Sequence, residues 1–239
     1  MNNSYKCLLN VIFKFSGDAQ TFLNGLTTNT CDKPKHAFLD RFGKVIVLAD
    51  LCIVGAEIYV LFEAKYKDAF MQHLQLYLPY SRTKMEEVVT NTVHILGEKE
   101  IGTIRFPQSF GYITLLDTLN ALDGMQELSE EEYTVFRLEN NISVQGIDFE
   151  HPVFLELGMD DAVSFTKGCY LGQEIVARMH TLGKPARKLV RLLYEKVPEN
   201  VTVAGEVVGT ITSLCFSLKY NKSLVFSLIR KYDGEIDNG

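Results

Sequence analysis

No stretch of this sequence approaches the roughly 20 consecutive apolar residues that a helix needs to cross a bilayer, so no membrane partner is expected. The opening segment, MNNSYKCLLNVIFKF, holds a brief apolar run broken by Asn10 and Lys14, and it lacks both a cleavage pattern and arginine. Neither a secretory nor a mitochondrial leader is expected there. Cysteine is sparse: Cys7, Cys31, Cys52, Cys169 and Cys215 are widely spaced, odd in number and never arranged as Cys-x-x-Cys. That usage argues against a disulfide framework and a self-contained zinc site, and for a reducing, cytoplasmic setting. The histidines, at 36, 73, 94, 151 and 180, show no metal-ligand spacing either, so no metal is expected. Gly-x-Gly-x-x-Gly, the P-loop lysine motif, His-Glu-x-x-His and Gly-x-Ser-x-Gly are all missing, which removes the commonest local signatures of dinucleotide, nucleotide, zinc-protease and hydrolase sites. There is no fixed-period repeat and no low-complexity tract. A net charge of −6 and a pI near 5.4 lack the broad basic footprint of a nucleic-acid binder, and no direct nucleic-acid contact is expected.

What is present is an ordinary globular pattern. At 239 residues and 46% hydrophobic, the chain can bury a sizeable core in one large domain or in two to three small ones. Ala19, Phe22, Leu23 and Leu26 fall at helical spacing, with Ser16 or Asp18 available as a cap. HAFLDRFGKVIVLADLCIV reads as two extended segments around a turn at Arg41 to Lys44, and EIYVLFE as the next strand of a hairpin. Residues 64–77 suit an amphipathic helix packed on that sheet. MEEVV, TVHIL, IGTIRF and GYITLL continue in short strands. SEEEYTVFRLENN supplies a capping box at Ser129 and Glu132, and a helix closed by Asn140 and Asn141, which tolerate a left-handed conformation. From Arg187 the chain reads as β-strands with no intervening helix. The fold class expected is α+β, with antiparallel or mixed sheets and packed helices. A boundary near Pro185 is expected, separating a region of two small subdomains, 1–185, whose segments can interleave, from a β domain, 186–239.

The densest chemistry lies in TKGCYLGQEIVARMH, Thr166 to His180. Glu174 and Arg178 stand four apart, and Ile175, Val176 and Met179 form an apolar stripe, which predicts a short helix from Gly172 onward. Cys169 then falls just before that helix or in its first turn, where the helix dipole and nearby Lys167 would favour a thiolate. Gly168 and Gly172 suit a tight turn or the close approach of a ligand. The residues alone equally allow a plain reading: a small buried cysteine, a surface ion pair and two turn glycines.

Lys167, Gly168, Cys169, Tyr170, Gly172, Gln173, Glu174 and Arg178 match a K-G-C-Y-x-G-Q-E-x-x-x-R signature. In this the chain resembles the YgfZ-type folate-binding proteins, relatives of the glycine-cleavage aminomethyltransferase, or T-protein. FSGDAQTFLNGLTTN, FLDRFGKV and GEVVGTITS are similar to further family segments in the same order, so the resemblance spans nearly the whole chain. It implies a T-protein-like ring of small domains around a channel for tetrahydrofolate or a derivative, with a reduced, barrel-like C-terminal β domain.

The resemblance also implies roles for particular residues. FRLENNISVQG is similar to the T-protein segment carrying its pterin-binding glutamate, which makes Glu139 the expected folate anchor, since a carboxylate can accept two N–H bonds from an amino-pyrimidine edge. Asn141 stands where that segment has glycine. An orienting aspartate of the T-protein would correspond to Asp50, although an ungapped match from Gly43 puts Leu48 there. An aspartate inside so apolar a strand must be solvated, paired or functional. Asn29 in the Thr-Thr-Asn turn is a further expected ligand contact, or else a turn residue serving the backbone. Lys167 and Arg178 would attract folate carboxylates or an acidic partner, or would stabilise the local fold. Cys169 would be a functional thiol or a transient ligand to an iron-sulfur cluster. Function by resemblance is that of a folate-binding accessory protein in the assembly or repair of iron-sulfur enzymes, with an effect on tRNA modification through clients such as radical methylthiotransferases. Two alternatives stay open: a tetrahydrofolate-dependent one-carbon transferase, and a non-catalytic folate sensor.

Overall fold

A computed structural model describes residues 3–183, 185–230 and 236. The chain forms two compact units, one made of Met1–Leu128 with Asp160–Gln173, the other of Ser129–Met159 with Glu174–Gly239. Residues 129–159 group with the C-terminal strands because the helix that starts at Glu130 packs on two of them. Pro185 accordingly falls inside the second unit and not at a division between the two.

In the first unit the elements are β1 (Ser4–Leu8), β2 (Asn10–Ser16), α1 (Ala19–Asn24), β3 (Lys35–Leu39), β4 (Val45–Val54), β5 (Glu57–Glu63), α2 (Lys67–Leu74), β6 (Lys84–Val88), β7 (Asn91–Leu96), β8 (Arg105–Pro107), β9 (Tyr112–Leu116) and β10 (Gln126–Glu127). They build two five-stranded sheets, one in the order β3-β4-β5-β2-β6 and the other in the order β10-β1-β7-β9-β8. The first is antiparallel throughout, and the second is antiparallel except for the parallel pairing of β1 with β10.

Away from its exposed edge strand β6, the first sheet is covered on both faces, which explains why β4 and β5 read as nearly unbroken apolar runs. Successive side chains alternate between faces. Val11, Phe13 and Phe15 of β2 and Ile58, Val60 and Phe62 of β5 join Leu23 of α1 and Phe70 and Leu74 of α2 in one core. Ile12, Tyr59 and Leu61 point the other way and pack with Phe106 and Ile113 of the second sheet. Phe70 is the keystone of the helix-side core, with ring centroids 4.5 Å from Phe62, 5.0 Å from Phe38 and 5.4 Å from Phe13.

The second unit contains α3 (Glu130–Glu139), the greater part of α4 (Gln173–Leu182), β11 (Arg187–Tyr194), β12 (Asn200–Val203), β13 (Glu206–Ser217) and β14 (Lys222–Arg230). The strands form one antiparallel sheet in the order β11-β14-β13-β12. The capping box of α3 forms as the sequence predicts: Ser129 accepts from the Glu132 N–H, and the Glu132 carboxylate accepts from the Ser129 N–H. Asn141 closes that helix at φ +57°, the left-handed value its side chain tolerates. The register of β13 against β14 slips between Ile211 and Ser213. Beyond the slip Ser213 and Ser217 are buried while Leu214 and Phe216 are exposed. The α+β class with mixed sheets therefore holds. No helix among the described residues is long and apolar enough to cross a membrane.

Candidate functional site

In the first unit the segment leading into Gly172 is fastened to two turns that lie far from it in sequence. The amine of Lys167 donates to the Thr27 carbonyl at 2.7 Å and to the Asn29 carbonyl at 2.6 Å, and it lies 5.2 Å from the Tyr170 ring centroid. Burial holds this amine down to about 8. The Ser164 N–H donates to the Thr28 carbonyl, the Thr28 hydroxyl to the Ala162 carbonyl and the Leu171 N–H to the Gly25 carbonyl. Asn29, 3% exposed, donates from its amide to the Lys35 and Asp161 carbonyls and accepts from the Thr30 N–H. Its amide is thus committed to backbone, and so is the ammonium of Lys167.

Gly172 explains the second glycine of the signature. It sits at φ +81°, and a Cβ there would lie 2.6 Å from the Asp40 carbonyl oxygen and 3.0 Å from Leu39 Cβ. The turn it touches is itself fixed by Asp40, whose carboxylate accepts from the Phe42 and Lys44 N–H groups. Gly168, by contrast, has nothing within 4 Å of a notional Cβ and keeps a negative φ.

Between these fastenings Cys169 is exposed, whereas Cys31 is buried and Cys7, Cys52 and Cys215 are partly covered. It lies just ahead of α4, and it makes no hydrogen bond among the described residues. Lys167, its near neighbour in sequence, spends its hydrogen bonds on carbonyls and not on the thiol. The cysteine borders a cavity of about 530 Å³ whose other lining includes Phe22, Leu26, Tyr77, Tyr80 and Tyr170. Burial pushes the thiol of Cys31 up to about 11 and the phenol of Tyr170 up to about 12.

Asp50, 9% exposed, lies on the face of β4 that looks toward the second sheet of the same unit. It is paired. Lys35, its cross-strand partner on β3, brings Nζ to 2.6 Å from one carboxylate oxygen, and the Gln108 amide donates to the other at 3.1 Å. Lys35 also donates to the Gln108 carbonyl oxygen at 2.6 Å, which closes the cluster. Nothing in the sequence marks Gln108, which follows β8 and reaches Asp50 only through the packing of the two sheets. Nearby His36 and His94 are buried and held down to about 4, mainly by desolvation.

In the second unit Glu139 is the last residue of α3, and its carboxylate Oε1 accepts from the Ser217 hydroxyl at 2.5 Å. Oε2 has no partner among the described residues. Arg191 donates to the carbonyls of Leu138 and Glu139 at 2.9 and 2.7 Å, satisfying the open end of the helix and offsetting the unfavourable negative charge there. Two residues earlier, Arg137 forms a buried ion pair with Asp148 at 2.8 Å, and Asp148 also accepts from the Val144 N–H and the Ser213 hydroxyl. A carboxylate with one oxygen fixed and the other open fits a ligand that presents N–H donors. Arg178 is exposed on α4 with no ion pair to Glu174 or any other residue among those described. No group of three or more His, Cys, Asp or Glu side chains converges as a metal site among the described residues.

No family model matches the chain. Over 93 residues, 36% of this chain, it is 33% identical to the iron-sulfur cluster assembly factor IBA57 homolog, mitochondrial, of Mycosarcoma maydis, covering 23% of that protein. Over 38 residues, 16% of this chain, it is 60% identical to the tRNA-modifying protein YgfZ of Colwellia psychrerythraea, covering 12% of that one. The matched stretches thus span less than a quarter of the length of either curated relative. The crystal structure of glycine cleavage system aminomethyltransferase T from Bartonella henselae is similar in fold with a TM-score of 0.78, over 95% of this chain and 78% of that one, at 13% identity. The two local sequence matches and the whole-chain likeness in fold agree with the resemblance carried by the signature at Lys167 to Arg178.

Proposed function

We propose that this protein binds tetrahydrofolate or a derivative and serves as an accessory factor in the assembly or repair of iron-sulfur enzymes, with a downstream effect on tRNA modification. Clients of the radical methylthiotransferase kind fit this role. The observation that carries the proposal is the presentation of Cys169. Lys167, Tyr170 and Gly172 hold the loop by hydrogen bonds, burial and close backbone contact, yet the thiol between them is the exposed one of the five. A cysteine serving only as a small core residue would be covered. One thiolate cannot hold an iron-sulfur cluster, which takes about four ligands, so a cluster contact draws its remaining ligands from a client or a second molecule. The names of the two curated relatives, an iron-sulfur cluster assembly factor and a tRNA-modifying protein, point the same way.

Glu139 is the folate anchor in this reading, with Oε2 free to accept from the pterin edge. In the first unit Asn29 and Lys167 hold the Thr27 to Asn29 turn that fastens the Cys169 segment, and in the second exposed Arg178 is available to carboxylates of the ligand or of a partner. Asp50 argues against the one-carbon transferase alternative, because a carboxylate already gripped by Lys35 and Gln108 is poorly placed to orient a reacting folate nitrogen.

Two variants test the proposal. Glu139→Gln is expected to weaken tetrahydrofolate binding at least tenfold by anaerobic calorimetry while the melting temperature holds. Cys169→Ala is expected to bind folate as the wild type does, yet fail to restore iron-sulfur enzyme activity in a strain lacking the protein. Full restoration by Cys169→Ala would reduce the thiol to packing. Formation of product from tetrahydrofolate and an aminomethyl donor would favour the transferase instead.

A further inference from the structure

Ser217 ends β13, pairs with Lys222 across the β13–β14 turn and is 0% exposed. A serine hydroxyl has one proton to give and lone pairs to receive with. Here both capacities are assigned by the neighbours. The Tyr220 N–H donates to Ser217 Oγ at 3.3 Å, so the hydroxyl acts as acceptor toward the turn. Its single proton is then directed at Glu139 Oε1, 2.5 Å away. Hydrogen bonds of this kind, from a neutral donor to a charged acceptor, are shorter and stronger than neutral pairs.

The opposite side of the same glutamate is fixed through its main chain. Arg191 of β11 donates to the Leu138 and Glu139 carbonyls and lies 5.8 Å from the Tyr220 ring centroid, so the end of α3 and the β13–β14 turn are tied to one cation. The Glu139 backbone is therefore immobilised by Arg191 and its carboxylate by Ser217, leaving Oε2 unengaged among the described residues.

We infer that Ser217 is a positioning residue for Glu139, its hydroxyl holding the carboxylate in the one orientation that keeps Oε2 open to an N–H-bearing ligand edge. The inference rests on Glu139 being the folate anchor. Without the hydroxyl the carboxylate is free to rotate, and a bound ligand must then order it at its own expense.

A double-mutant cycle on the full chain tests this, with tetrahydrofolate as the probe in anaerobic calorimetry. Ser217→Ala is expected to raise Kd about tenfold, Glu139→Gln at least as much, and the two together no more than Glu139→Gln alone, because the hydroxyl acts only through the carboxylate. Ser217→Thr, which keeps a hydroxyl, is expected to recover most of the affinity. Should the alanine variant lower the melting temperature, Ser217→Cys, nearly isosteric and a poor donor, carries the same expectation. Glu139→Gln weakening binding while Ser217→Ala binds as the wild type does would overturn the inference and leave the anchor standing. Fully additive losses would also overturn it. Unchanged binding by Glu139→Gln would instead remove the anchor itself.

Discussion

Replacing Gly172 by alanine separates the structural work of the signature from its chemistry. At φ +81° an alanine pays roughly 1–2 kcal/mol for the left-handed backbone. Its Cβ would also lie 2.6 Å from the Asp40 carbonyl oxygen, a backbone atom in a turn pinned by two hydrogen bonds, so relief requires moving the turn or the loop. Overpacking of that kind adds roughly 1–3 kcal/mol. The expected total is about 2–5 kcal/mol, which for a chain of this size lowers the melting temperature by roughly 5–15 °C. Gly168→Ala is the internal control. With no atom within 4 Å and a negative φ, it is expected to change stability by no more than about 0.5 kcal/mol. Gly172→Asn divides the penalty, since asparagine tolerates the backbone conformation but still carries the clashing Cβ. It is expected to fall between the other two. Urea unfolding followed by circular dichroism measures all three. A Gly172→Ala protein within 0.5 kcal/mol of wild type, or a Gly168→Ala protein equally damaged, would refute the packing account and return both glycines to ordinary turn duty.

Two further predictions concern groups the fold covers or leaves bare. Limited alkylation at neutral pH, read by peptide mass spectrometry, is expected to label Cys169 first and Cys31 last, because one is exposed and the other is buried with its thiol pushed up to about 11; comparable labelling of the two would contradict the burial pattern. His36 and His94 are held down to about 4 by desolvation, against an ordinary value of 6.5. As pH falls from 6.5 to about 4 the unfolded chain takes up these protons and the folded chain does not, so stability declines across that window, by up to about 3 kcal/mol per histidine. Denaturant titrations at pH 7 and pH 4.5 should show a smaller decline for His94→Gln than for wild type, and an equal decline would discount His94.

Much of this protein is legible one residue at a time. The capping box at Ser129 and Glu132, the left-handed Asn141 and the apolar stripe through Val176 are local consequences of backbone geometry, and each appears where the sequence predicts it. The short strand β12 is not legible in this way, because four residues of alternating pattern carry too little signal to stand out from a loop. Nor is the grouping of residues 129–159 with the C-terminal strands, which follows from the packing of α3 on β13 and β14.

The site divides along the same line. The eight-position signature from Lys167 to Arg178 and the single glutamate at the end of FRLE can be read from the chain, since residue identity at fixed spacing is enough to mark them. What those residues touch cannot be. Lys167 and Cys169 are neighbours in sequence, and that closeness alone suggests a cation beside a thiol. Tertiary structure instead sends the amine to the Thr27 and Asn29 carbonyls, seats Gly172 against Asp40 and leaves the thiol exposed. Asp50 acquires Gln108, and Glu139 acquires Ser217, from positions 58 and 78 residues away. Sequence determined which groups carry chemistry, because that is a property of the side chains themselves. Only the fold decided which are already satisfied and which remain open, because a hydrogen bond depends on distances of about 3 Å that spacing along the chain does not set.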